Sequence, residues 1–85
     1  MVPGRLRQAR QKAKLTQEKL GVLVGIDEST ARSRISYYES GRRAPSFNTA
    51  CAIARVLDIP EGYLYTLDDD LAEGLLALYR AGKGK

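Results

Sequence analysis

The sequence predicts an all-helical protein of six short helices within one domain spanning residues 1–85. Apolar residues recur at intervals of three, four and seven, which is the spacing of one face of a helix. Helix-start residues such as Pro, Ser, Thr and Asp precede these apolar segments, and Gly follows several of them. No alternation of Val, Ile and Thr is long enough to predict a strand.

The first two helices have clear start signals, and the second also has a clear stop signal. Pro3 is tolerated at a first helical position, where no backbone N–H is needed. Thr16 is a good N-cap for the second helix, and Gly25 is its expected end. The residues expected to point inward are Leu6, Ala9, Ala13, Leu20, Leu23 and Val24.

The third helix is predicted to begin after Asp27 and to end at Gly41. Ala31, Ile35 and Tyr38 fall within a narrow arc and predict its buried face. The opposite face is rich in Ser and Arg. Because Ser is a poor helix former, a purely structural reason for this polar face is unsatisfying.

The fourth helix is predicted to open at Pro45 and Ser46, and the short fifth helix at Pro60. The residues expected on the inner face of the fourth helix are Phe47, Ala50, Cys51, Ile53, Ala54 and Leu57. The fifth helix contains Tyr63, Leu64 and Tyr65.

The sixth helix is predicted over about residues 69–81, before Gly82. Leu76 and Tyr79 widen its apolar arc beyond what one core contact needs. This indicates either a cover for the first helix or a dimer interface, and we favour the interface. Residues 83–85 are expected to form a frayed tail.

Positive charge is concentrated in the first half of the chain. Residues 1–43 contain ten Lys or Arg and four Asp or Glu, whereas residues 44–85 contain four and six. This distribution indicates a polyanion-binding face on one side of the molecule. A basic surface that is merely solvated explains the charge equally well.

Composition argues against several protein classes. The single cysteine, Cys51, cannot form an intramolecular disulfide, and no signal peptide or bilayer-spanning run is visible, so we expect a cytoplasmic protein without membrane contact. Without His, a phosphate-binding loop or a paired nucleophile and base, neither an enzyme nor a cofactor is expected. The acids Asp68 to Asp70 do not match a calcium loop and favour a helix start without metal.

Residues 16–43 carry the functional signal. Two short helices joined by a tight turn cross at roughly 90–120°. Such a crossing requires a small residue at the closest approach, and Gly21 occupies that position. The second helix of the pair is then held at the surface, where it can enter the major groove of DNA.

Three segments of this region form a recognisable pattern: LTQEKL at 15–20, Gly25-Ile26, and YESGRRAPS at 38–46. Together they resemble the phage Cro/repressor-like (XRE-type) helix-turn-helix DNA-binding family over about residues 4–66. The resemblance implies a five-helix lambda-repressor-like domain, here with an additional C-terminal helix. Between Gly25 and Gly41 the chain exceeds the family spacing by about one helical turn, placed at 27–30. That turn either lengthens the recognition helix into the groove or lifts it away.

The resemblance also implies roles for individual residues. The positions that match base-reading residues are Arg32, Ser33 and Tyr37, and the same outer surface carries Ser29, Thr30 and Ser36 as secondary candidates. The expected phosphate-binding residues are Gln17, Arg34, Arg42 and Arg43. Glu39 is expected to bond within the domain. Arg5, Arg7 and Arg10 either extend the basic surface or are simply solvated.

The sequence therefore predicts a sequence-specific regulator of transcription, a repressor, that binds double-stranded DNA as a homodimer with its third helix in the major groove. The alternative is a protein-interaction module such as the antitoxin partner of a toxin. RNA binding is less favoured, because the aromatic residues typical of single-strand readers are not interleaved with the basic ones. No effector domain is visible, so no small-molecule effector is expected.

Overall fold

The computed structural model describes residues 1–83, which form six helices and no strand. The helices are α1 (Pro3–Lys12), α2 (Gln17–Leu23), α3 (Glu28–Ser40), α4 (Phe47–Leu57), α5 (Glu61–Tyr65) and α6 (Asp69–Lys83). The all-α prediction is thus confirmed. Lys83, expected in a frayed tail, is the last residue of α6, and residues 84–85 of that prediction lie outside the described residues. Over the described part of the chain, every helix is too short or too polar to cross a bilayer.

Side chains at the predicted helix starts form the expected caps. Thr16 and Ser46 each accept a hydrogen bond from a backbone N–H of the following helix, at 3.0 and 3.2 Å, and the Asp27 carboxylate accepts one at 2.9 Å. Each bond satisfies an N–H that has no partner within its helix. Gly25 and Gly41 follow the ends of α2 and α3 with positive φ angles of 93° and 79°, which glycine adopts without strain.

All six helices contribute to one apolar core. A buried side chain from each helix in turn is Leu6, Leu20, Ile35, Ile53, Leu64 and Ala72. Burial of each Leu or Ile contributes about 1.5–3 kcal/mol relative to exposure. Aliphatic residues therefore dominate the core, as expected of a chain with one Phe and no Trp.

Several residues expected to point inward lie at the surface. Phe47, the first residue of α4, is 61% exposed, and its ring lies 6.2 Å from that of Tyr65, measured between centroids. Leu23, the last residue of α2, and Ala13, just beyond α1, are exposed as well. Periodicity predicts the direction in which a side chain points around the helix axis. At the end of a helix, however, no neighbouring helix covers a side chain that points in that direction. Cys51, expected to be buried, is half-buried.

Arg5, in α1, binds the start of α6. Its guanidinium lies 2.8 Å from the Asp69 carboxylate and donates hydrogen bonds of 3.0–3.1 Å to the carbonyls of Thr66 and Leu67. Arg5 is only 6% exposed, and its guanidinium carbon lies 5.6 Å from the centre of the Tyr63 ring. The expectation that Arg5 is solvated or extends a basic surface is therefore wrong.

Asp58, which follows α4, binds the other end of α6. Its carboxylate accepts hydrogen bonds from the Lys83 ammonium at 2.7 Å and from the Tyr79 hydroxyl at 3.1 Å. These two donors, the ammonium first, hold the pKa of the Asp58 carboxyl below its ordinary value. Between the two anchors Leu76 is buried in the same core as Ala9. Leu76 thus covers the first helix, and its assignment to a dimer interface is wrong.

The crossing of α2 and α3 is as close as the glycine at position 21 predicts. A Cβ added to Gly21 would lie 2.6 Å from the Ala31 Cβ and 2.9 Å from the Ala31 carbonyl oxygen. Contacts this short are sterically forbidden, and one of the partners is rigid helix backbone. Gly21 therefore permits the separation that seats α3 against the core.

We expect Gly21→Ala to lower the free energy of unfolding by about 1–3 kcal/mol, because α2 and α3 must move apart to admit the methyl group. The matched control is Gly4→Ala in α1, where an added Cβ meets nothing within 4 Å. That control should be neutral or up to about 1 kcal/mol stabilising, since alanine is the better helix former. Urea denaturation followed by circular dichroism measures both. Equal stability of the two variants would contradict the close crossing.

Candidate nucleic-acid interface

The polar face of α3 is open to solvent. The buried residues of this helix are Ala31, Ile35 and Tyr38, as predicted. On its other faces the exposed residues are Ser29, Thr30, Arg32, Ser33 and Arg34, and the half-buried residues are Ser36 and Tyr37. The extra turn at 27–30 belongs to α3 and its Asp27 cap. It lengthens this helix at its N-terminal end and does not fold across the polar face.

The hydroxyl groups of the first turns of α3 bond to nearby acceptors. The Ser29 hydroxyl donates to the Asp27 carboxylate at 2.7 Å, and the Ser33 hydroxyl donates to the Thr30 carbonyl at 3.1 Å. The bond from Ser29 holds the pKa of the Asp27 carboxyl below its ordinary value. Because these bonds use the hydroxyl protons, the oxygen lone pairs remain as acceptors. Donors on this face are then supplied mainly by the arginines.

Five of the predicted site residues meet in one recess. An open depression of about 200 Å³ is lined by Thr30, Ser33, Arg34, Tyr37 and Arg43. It brings three residues expected to read bases next to two expected to bind phosphate.

Arg32 lies in a second, larger recess on the α2 side of α3. This open groove of about 500 Å³ is lined by Arg10, Thr16, Gln17, Glu18 and Arg32. It places a predicted base-reading arginine near Gln17, a predicted phosphate-binding residue. The predicted set is thus divided between the two sides of one helix.

A buried carboxylate links the helices that carry this surface. The Glu39 side chain is 5% exposed and lies 2.6 Å from Nε of Arg10, with a second bond of 3.2 Å from the same guanidinium. The Gln17 amide donates to it at 3.1 Å, and Arg10 also donates to the Leu15 carbonyl at 2.8 Å. Glu39 therefore bonds within the domain, as predicted. Arg10 forms an internal ion pair, and the expectation of a solvated arginine there is wrong.

Gln17 has a fixed orientation as a consequence. One hydrogen of its amide group is held by Glu39, and the half-buried side chain keeps a second N–H and its carbonyl oxygen for a ligand. The sequence placed Gln17 at the surface but did not predict this bond. Glu39 is 22 residues away.

The ring of Tyr37 contacts both arginines that follow α3. The guanidinium carbons of Arg42 and Arg43 each lie 5.3 Å from the centre of its ring, within the range of a cation–π contact. The Arg43 N–H also donates to the Tyr37 carbonyl at 3.3 Å. The sequence analysis named Tyr37 as a base-reading residue and gave its ring no separate role. The signal for its ring was a Tyr near the end of a helix, with two Arg just beyond the terminating Gly41.

The chain is similar to known helix-turn-helix proteins. A family model described as Helix-turn-helix matches residues 6–64, which confirms the resemblance drawn from the sequence. The crystal structure of the transcriptional regulator BswR is similar to this fold with a TM-score of 0.90 and 42% identity, covering 93% of this chain and 78% of that one.

Two relatives are similar in sequence. Each is 36% identical to this chain over 66 residues, and each match covers 78% of this chain. One is the uncharacterized HTH-type transcriptional regulator YobD of Bacillus subtilis, of which the match covers 55%. The other is an uncharacterized HTH-type transcriptional regulator of Archaeoglobus fulgidus, of which it covers 89%. This chain thus matches about half the length of the first relative and most of the second.

We expect Glu39→Gln to destabilise the fold by about 3 kcal/mol, because it leaves the Arg10 guanidinium, 12% exposed, without its counter-charge. Glu73→Gln makes the same chemical change at an exposed position of α6 and should alter stability by less than about 0.5 kcal/mol. Chemical denaturation at neutral pH compares them. Coincident unfolding curves would show that Glu39 does not hold the three helices together.

Proposed function

The chain belongs to the helix-turn-helix family, and on that premise we propose that it is a cytoplasmic, non-catalytic transcriptional regulator, a repressor, that binds double-stranded DNA sequence-specifically. The observation that carries this proposal is the exposed Ser- and Arg-bearing face of α3, held outward by the close crossing at Gly21. An exposed helix of this kind fits the major groove, which is about 12 Å wide. The regulators named above favour DNA over a toxin as the partner.

Base reading is assigned to the exposed face of α3. Arg32 is the leading residue, since a guanidinium can donate two hydrogen bonds to O6 and N7 of guanine. The hydroxyl groups offer mainly acceptors, which suit the amino groups of cytosine and adenine. The full set assigned to base edges is Arg32, Ser33 and Tyr37, with Ser29, Thr30 and Ser36. The extra turn places Ser29 and Thr30 toward the leading end of the helix, where recognition helices contact bases.

Phosphate binding is assigned to residues around that face. The set is Gln17, Arg34, Arg42 and Arg43. Gln17 is oriented by Glu39, and both Arg42 and Arg43 are exposed. Contacts of this type fix the register of a protein on DNA and carry no sequence information themselves.

We also propose that the protein binds a partly palindromic operator as a homodimer, with half-sites about one helical turn, ~34 Å, apart. Regulation would then act through the amount of protein or through a partner, without a small-molecule effector.

Tyr37 has a second assigned role, as a positioning residue for Arg42 and Arg43. Its ring lies equally close to both guanidiniums. Arginine side chains have many rotamers and lose conformational freedom when they bind DNA. That loss is smaller if the Tyr37 ring already restricts the two side chains in the free protein.

We expect Arg32→Ala and Arg42→Ala to have different effects on DNA binding. Arg32→Ala should relax the preference at one base pair by about 1–3 kcal/mol, and Arg42→Ala should weaken all sequences alike and reduce the salt slope by about one. Selection of duplexes from a random library, followed by titrations at several salt concentrations, measures both.

Arg55→Ala, an exposed arginine on α4, is the matched control and should resemble the parent protein. Identical consequences for Arg32 and Arg42 would contradict the division between base reading and phosphate binding. An affinity that does not change between low and physiological salt would contradict DNA binding altogether.

A pair of Tyr37 variants separates its ring from its hydroxyl. If the ring positions the arginines, Tyr37→Phe should keep the affinity and the salt slope, whereas Tyr37→Leu should weaken all duplexes several-fold, as a lost contact of about 1 kcal/mol implies. If the hydroxyl reads a base, Tyr37→Phe should instead relax the preference at one position. Binding titrations against the selected site and a scrambled duplex distinguish these results.

A further inference from the structure

Glu18 of α2 and Arg32 of α3 line the same groove, the open recess of about 500 Å³ on the α2 side of α3. Glu18 precedes Gly21 by three residues, so it lies on the side of α2 that meets α3. Arg32 directly follows Ala31, the residue nearest to Gly21 at the crossing. Both side chains are exposed. The close crossing thus brings a carboxylate of one helix and a guanidinium of the other to one groove.

The charges of these two residues have no partner elsewhere in the groove. The third charged residue that lines it, Arg10, is already paired with the buried Glu39 carboxylate at 2.6 Å. Among residues 1–83, neither Glu18 nor Arg32 belongs to an ion pair. The groove therefore holds one carboxylate and one guanidinium whose charges are not yet compensated, and each is the available counter-charge of the other.

A bound duplex strengthens the attraction between Glu18 and Arg32. In the free protein the groove is filled with water, and an ion pair on a wet surface contributes little. A duplex that covers the groove displaces this water and lowers the local dielectric constant, which increases the attraction. A guanidinium has five N–H donors, and a bidentate bond to guanine uses two of them. The other edge of Arg32 is then left for a carboxylate.

The position of Glu18 also penalises incorrect sequences. Glu18 follows Gln17, which is assigned to a phosphate, and a carboxylate beside a phosphate is repelled by the DNA backbone. Arg32 offsets this repulsion only while its guanidinium stays in the groove. On a duplex without the matching guanine, Arg32 has no base to hold it there, and the repulsion remains. A penalty of this kind against incorrect partners is a source of specificity.

We propose that Glu18 is a positioning residue that holds the Arg32 guanidinium against guanine in the DNA complex. The inference rests on the proposed function, because it gives a protein partner to the arginine that is proposed to read a base. It adds that sequence preference depends on a carboxylate of α2 that acts through Arg32 and does not itself contact a base.

Glu18→Gln removes the charge and keeps the shape of the side chain. The preference for guanine at the base pair read by Arg32 should fall about five- to tenfold, within the range of coupling between neighbouring residues. Affinity for a scrambled duplex should instead rise about twofold, because one group that repels the phosphates is gone. Titrations with the selected duplex, its single-base variants and a scrambled duplex measure both. Glu73→Gln, at an exposed position of α6, is the matched control and should resemble the parent protein.

A double-mutant cycle tests whether Glu18 acts through Arg32. In the Arg32→Ala background, Glu18→Gln should leave the remaining base preference unchanged, because the side chain that it positions is absent. A further loss of preference in that background would show that Glu18 reads a base itself and would overturn the positioning role. Full guanine preference in the Glu18→Gln single variant would overturn it too. Circular dichroism verifies that each variant is folded.

The same titrations separate this inference from the proposed function. If the parent protein selects a site and Arg32→Ala relaxes it while Glu18→Gln does not, the positioning role of Glu18 fails and base reading by Arg32 stands. If the parent protein prefers no duplex over a scrambled one, sequence-specific DNA binding fails, and the positioning role fails with it.

Discussion

The close approach of α2 to α3 at Gly21 sets the position of α3 and, with it, the exposure of its polar face. With a hydrogen in place of a side chain, the two helices approach until the Ala31 backbone lies where a methyl group would clash. Ile35 and Tyr38 then reach the core, and the opposite side of α3 is left outside it. The polar face is therefore exposed because the other face of the same helix is fully packed. The proposed DNA contact depends on this packing more than on any single polar residue.

Two arginines of α1 extend this constraint to the rest of the chain. Arg10 binds Glu39 at the end of α3, and Arg5 binds Asp69 and the carbonyls before α6. Both guanidiniums are largely buried, which is tolerated because each is paired with a carboxylate and hydrogen bonded. One helix thus orients both the proposed DNA-binding face of α3 and the sixth helix.

Much of the fold could be predicted because it depends on local signals. The caps at Thr16, Asp27 and Ser46 and the turn glycines satisfy backbone groups of their own helices, so short segments of sequence reveal them. The buried arc of α3 follows from helical periodicity alone. Periodicity failed at Phe47 and Leu23, where the helix end lies beyond its neighbours. It also failed to divide the apolar residues of α6 between core and surface, since Leu76 and Leu78 are both leucines on a wide apolar arc.

The helices, their order and the face of α3 whose polar residues are proposed to meet DNA could all be predicted from the sequence. Which charged residues belong to the interior could be seen only in the folded protein. Arg5, Arg10 and Arg42 are the same residue in a basic half-chain, yet two are buried in ion pairs and one is exposed beside an aromatic ring. The physical reason is distance along the chain. The Arg5 and Arg10 partners Asp69 and Glu39 lie far away in sequence, and such pairs come together only once the core has closed.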